Sequence, residues 1–148
     1  MPTLFNLDDR FAIRRRLETL TPDRRAKWGK FSPPEMVCHV SAALRQGLGE
    51  IESGAPSGPM AMPGINWLVI HVVPWPKAKA KSPPELLTTL PTTWDRDVAA
   101  LDKLIERFGQ RGPKAKWPRS SSFGAISGRS WGVLQYRHLD HHLRQFNV

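Results

Sequence analysis

Ser127-Gly128-Arg129-Ser130-Trp131-Gly132-Val133-Leu134-Gln135-Tyr136-Arg137-His138-Leu139-Asp140-His141-His142-Leu143-Arg144-Gln145-Phe146 reads as one long amphipathic helix. Ser127 is a capping residue, and the helix is predicted over 128–145. Trp131, Leu134, Gln135, His138, His142 and Gln145 recur at the spacing of a single helical face. His138 and His142 are four positions apart, so their imidazoles stack one turn apart on that face. HExxH helices grip zinc with this spacing. Both histidines stand where the pattern begun by Trp131 and Leu134 calls for core side chains. A ring facing a bundle interior has to be hydrogen-bonded or ligated, because unpaired burial costs about 1–3 kcal/mol.

A second helix has an equally clear start. In Ser32-Pro33-Pro34-Glu35 the serine caps, proline suits the first turn, and Glu35 completes a capping box. Met36, Val40, Ala43, Leu44, Gly47 and Leu48 then form the apolar face, His39 lies on the same side, and the helix is expected to run to about Glu52. Three histidines from two helices would bind a metal and leave positions open for water or substrate. The alternative is a pair of surface histidines on the last helix and one hydrogen-bonded core histidine at 39.

The other segments complete an all-α reading. A first helix is expected over Leu7–Leu20 with Leu7, Phe11, Leu17 and Leu20 inward, and a short helical turn over Pro22–Trp28. Gly54–Pro59 is loop, and Gly64–Val73 fits either a buried strand or a helix stopped by Pro74. The run to Lys81 is a basic, extended connector, and Ser82-Pro83-Pro84-Glu85 opens a short turn. Thr93–Phe108 is a strong helix, with Trp94, Val98, Leu101, Leu104, Ile105 and Phe108 inward and Gly109 as its stop. Residues 1–148 thus form one domain, an up-and-down four-helix bundle.

Of the remaining candidates, His141 lies beside Arg137 and Arg144 on a polar flank, which suits a role behind the ligands or at the surface. Gln145, one turn past His142, is placed to touch substrate or a ligand. His71, embedded in an apolar run, is read as structural, and Asp140 points away from the pair. Cys38 immediately precedes His39, points to another side of the helix, and is read as a small buried hydrophobe, with a zinc thiolate or nucleophile as its alternative. The six tryptophans are read as core and loop anchors.

The formal charge of +9 invites a polyanion, but the basic residues are scattered in small clusters without the aromatic interleaving of nucleic-acid modules. A nucleic-acid partner is therefore not expected. No segment approaches the ~20 apolar residues of a membrane span. The start of the chain carries Asp8 and Asp9 and lacks signal-peptide layout, and the single cysteine forms no internal disulfide, so a cytoplasmic protein is expected.

Trp28-Gly29-Lys30, followed by Ser32-Pro33-Pro34-Glu35-Met36 and His39, resembles the lead into the second helix of DinB-like proteins. Pro74-Trp75-Pro76-Lys77, Phe123-Gly124-Ala125-Ile126-Ser127, Trp131-Gly132 and the run from Tyr136 to Phe146 resemble one branch of that superfamily, a domain of unknown function. The resemblance implies a four-helix bundle with a divalent metal, Zn or Ni, held by His39, His138 and His142. It further implies a small-molecule substrate such as a low-molecular-weight thiol, S-transfer or hydrolysis as the activity, and a homodimer. The broader motif ends His-His-Arg-Gly-Gln. His141-His142-Leu143-Arg144-Gln145 keeps the second histidine and the glutamine, shifts the arginine and lacks the glycine. A non-catalytic metal or polyanion binder is the alternative.

Overall fold

Short capping motifs fix where the helices begin. The computed structural model describes residues 1–56, 58–77 and 82–148. It contains α1 (Leu7–Glu18), α2 (Pro33–Leu48), α3 (Ile65–His71), α4 (Trp94–Arg111) and α5 (Gly128–Gln145), with single 3-10 turns at Pro59–Ala61 and Pro84–Leu86. No strand occurs among the described residues. Ser57 of the expected loop, and Lys79 and Lys81 of the expected basic connector, lie outside them. Ser32 and Glu35 form the capping box of α2, and Ser127 accepts from the Ser130 amide at the start of α5.

Each of α1 and α2 packs against both α4 and α5, which leaves α1 and α2 diagonal across the core. Side-chain pairs give the helix directions. Gly47 faces Phe108, and Arg111 donates to the Leu48 carbonyl, so α2 and α4 run the same way. The Leu4 amide donates to the Gly132 carbonyl and Arg16 pairs with Asp140, so α1 and α5 are also parallel. Arg10 with Glu106 and Arg14 with Asp102 make α1 antiparallel to α4. Gln135 reaches the Ala43 carbonyl, which makes α2 antiparallel to α5. The order is up-down-down-up rather than the simple alternation expected from sequence. The physical reason is the long connection over 49–93, which carries α3 and returns the chain to the end where α2 began.

Several boundaries differ for identifiable reasons. Leu17 and Leu20 are buried as expected, but Leu7 and Phe11 are exposed, and Arg10 and Ile13 turn inward in their place. No helix forms over 22–28. α2 stops at Leu48 because Gly49 takes a left-handed C-cap at φ +82°. Gly109 does not end α4: the helix continues to Arg111 with Gly112 as its C-cap, and the missing side chain at 109 makes room for Arg10, which lies where a Cβ would stand. The ambiguous apolar run is helical over Ile65–His71. Asn66 and Ile70 face the core, while Trp67, Leu68 and Val72 lie exposed on the outer side. No helix among the described residues is long and apolar enough to cross a membrane.

Trp131, Phe108, Trp117 and Phe5 form an aromatic cluster at one end of the bundle, with Phe108 and Trp117 centroids 4.7 Å apart. Gly47 admits it, since a Cβ there would meet Phe108 at 2.7 Å.

Candidate metal centre

The antiparallel seam between α2 and α5 brings the early part of one helix against the late part of the other. His39 on α2 thereby meets His138 and His142 on α5. One ring nitrogen from each lies within 4.8 Å of the others, an arrangement that could hold a metal ion. The Nε2 atoms of His39 and His138 are 2.9 Å apart. Two ring nitrogens at that distance either share a proton or share an ion.

The opposite ring nitrogens of two of the histidines are committed elsewhere. His39 Nδ1 donates to the Leu86 carbonyl at 3.3 Å, and His142 Nδ1 donates to Gln145 Oε1 at 2.9 Å. With Nδ1 protonated, each Nε2 keeps its lone pair for the cluster. The Gln145 amide is oriented in turn by donating through Nε2 to the Trp28 carbonyl at 2.7 Å. Gly29, at φ +77°, lets the backbone approach this closely, since a Cβ there would meet the glutamine nitrogen at 2.6 Å.

Electrostatics keep the rings neutral. Burial pulls the His142 imidazole down to about 3, with His39 adding to the effect and the Gln145 hydrogen bond opposing it. Burial lowers His39 against the Leu86 hydrogen bond, and lowers His138 well below the usual histidine range with help from His39, His142 and His141. Neutral imidazoles are the form that binds metal. The donor set is three nitrogens with no carboxylate or thiolate, which suits borderline ions such as Zn²⁺, Ni²⁺ or Cu²⁺ over Mg²⁺.

Aromatic rings wall the cluster. Phe31 stacks on His39 with centroids 5.1 Å apart and tilts against His142 at 5.7 Å. Trp75 approaches His138 at 6.3 Å and His141 at 6.2 Å, and Trp28 meets the His141 edge at 5.9 Å. Trp28 and Trp75 are thus part of the site's wall as well as loop anchors. Arg137 holds the Trp75 segment in place by donating to the Val69, Ile70 and Val73 carbonyls while lying 5.1 Å over the Trp75 ring.

The remaining sequence candidates fall outside the cluster. His141 is half-buried beside His142, at 5.3 Å between centroids. His71 bonds with Ser130 Oγ and stacks on Trp67. Asp140 is held by Arg16 and Arg144. Cys38 is buried, and its thiol is pushed up first by that burial. The Leu86 carbonyl and the Phe31 ring escaped the sequence reading. A backbone acceptor far along the chain from its donor leaves no pattern, and Phe31 had only its nearness to the Ser32 cap to mark it.

The fold and this site together define an all-helical protein with a buried three-histidine cluster. Comparison with protein-family models, curated proteins and solved structures gives no significant match to the chain.

Proposed function

We propose that the chain is a divalent-metal-dependent enzyme of the DinB-like kind. His39, His138 and His142 hold Zn²⁺ or Ni²⁺, and a small molecule such as a low-molecular-weight thiol or a hydrolysable ester is the substrate. The observation that carries this reading is the convergence of three neutral imidazoles from two helices, with no fourth ligating side chain in the group among the described residues. Structural zinc sites close with four protein ligands, whereas catalytic ones keep a position open. A bound ion at such a site acidifies water or a thiol and so supplies a nucleophile at neutral pH.

The chain's own groups do the rest. Leu86 and Gln145 orient two of the rings, and Phe31 and Trp75 pack against His39 and His138. His141 is the one further imidazole beside the cluster, and it is assigned the movement of a proton to or from substrate. A homodimer and a cytoplasmic setting in which Cys38 stays a thiol belong to this reading.

The test is elemental analysis of protein prepared without a polyhistidine tag, beside His142→Ala. About one equivalent of Zn or Ni per chain, lost in the variant, is expected. Absence of metal, and none taken up on dialysis against Zn²⁺ or Ni²⁺, would sink the proposal. A loaded protein that turns over no thiol, ester, amide or epoxide would instead favour a non-catalytic metal or polyanion binder. The net charge of +9 supports that second reading, and salt-dependent DNA binding would mark it.

A further inference from the structure

Beside the histidine cluster lies an open groove of about 460 Å³, lined by Lys27, Trp28, Lys77, Arg144, Asn147 and Val148. It shares its walls with the cluster. The carbonyl of Trp28 orients Gln145 and hence His142, and its ring meets His141. Lys77 ends the Pro74–Lys77 segment whose Trp75 packs against His138 and His141. The groove therefore opens along the side of the site where His141 stands.

Its charge is unbalanced. Three cations line it, and among the described residues no carboxylate side chain does. The Lys77 ammonium stands 4.7 Å over the Trp28 ring, and among the described residues the Lys27 ammonium donates to the neutral Asn147 side chain. Of the three, Arg144 alone has an acidic partner among the described residues, and it shares that partner, Asp140, with Arg16. The indole N–H of Trp28 is buried with no acceptor among the described residues. Exposed lysines ordinarily spread into solvent. Here Lys77 is drawn over the face of an indole whose own N–H is unpaired, Lys27 lines the same groove, and an anion is the ligand that would satisfy the set.

We propose that this groove binds the acidic group, a carboxylate or phosphate, of the molecule whose reactive end reaches the histidine cluster, and that Lys77 is its principal contact. The proposal rests on the metal-enzyme reading for what lies beside the groove, but binding of the anion does not require the metal.

The experiment is calorimetric titration of the metal-free and zinc-loaded protein with inorganic phosphate, phenyl phosphate and benzoate at low salt. Lys77→Ala and Lys77→Arg are run alongside, with zinc content measured on every sample. Lys77 is exposed, so neither change threatens the fold. Saturable binding of at least one probe is expected in both forms. It should weaken about tenfold in Lys77→Ala, be largely retained in Lys77→Arg, and fall as salt is raised. Zinc content should be the same in all three proteins. An affinity unchanged in Lys77→Ala, the absence of saturable binding, or binding that appears only with zinc would each overturn the assignment; the last would place the anion on the ion. If the protein holds no zinc yet binds the anion through Lys77, the groove stands and the metal-enzyme reading falls.

Discussion

The α2–α5 seam has two ends with opposite characters. At one, Gly47 lets Trp131 and Phe108 close on each other in a dry aromatic packing. At the other, the same two helix faces carry His39, His138 and His142, polar rings held neutral by burial. The aromatic end removes apolar area from water and contributes stability. The histidine end gives up part of that contribution, because each ring needs a partner for its nitrogens. One stripe on α5 serves both ends, so the difference lies in side-chain chemistry and not in backbone geometry.

The largest break in this comparison is expected at the aromatic end. Trp131→Ala should cost about 3–5 kcal/mol of unfolding free energy, read by urea denaturation of the metal-free protein. A loss below about 1 kcal/mol would mean that the cluster is not the stabilising end.

A smaller effect should come from pH at the histidine end. The imidazoles take up protons near pH 6.5 when unfolded, but His142 in the fold does so only at about 3. As pH falls below 6.5 the unfolded chain therefore binds more protons, and stability drops by about 1.4 kcal/mol per pH unit for each imidazole kept neutral. Above 6.5 this dependence vanishes. His142→Leu should remove about one proton from the slope between pH 6 and 4. An unchanged slope in the variant would show that His142 is not held neutral.

The smallest effect sharpens the comparison without touching a ligand. Gln145→Leu removes the acceptor for His142 Nδ1 and the tie to the Trp28 carbonyl. Zinc affinity, measured by competition with a chelator, should weaken about 10- to 100-fold. Gln145→Glu keeps an acceptor toward His142 and loses only the donor to Trp28, so it should fall between. Equal affinity in all three would remove Gln145 from the site.

Much of this was legible in the sequence, and the reason is locality. The bounds of α5 followed from the Ser127 cap and an unbroken helical stripe, and the start of α2 from a capping box within four residues. The His138/His142 spacing placed two rings on one face before any tertiary contact was known. The all-helical class followed as well, because helical periodicity and capping recur along most of the chain.

Helix direction, the exact helix ends and the surroundings of the rings were not legible. That α4 runs parallel to α2 depends on the path of the connection over 49–93, which carries no periodic signal of its own. Gly109 lies inside α4 and not at its end, its missing side chain making room for Arg10 of another helix, a contact no local pattern shows. The apolar run at 65–71 matched strand and helix alike until packing against α5 placed Asn66 and Ile70 inward. The sequence by itself determined that α1, α2, α4 and α5 are helical, where α2 and α5 begin, and which histidines share a face, since these are properties of neighbouring positions. Only the tertiary structure decided that His39 meets the pair, that Leu86 and Gln145 orient the rings, and that Lys77 is brought over Trp28. Those contacts join residues distant in sequence, and their geometry exists only once the helices have packed.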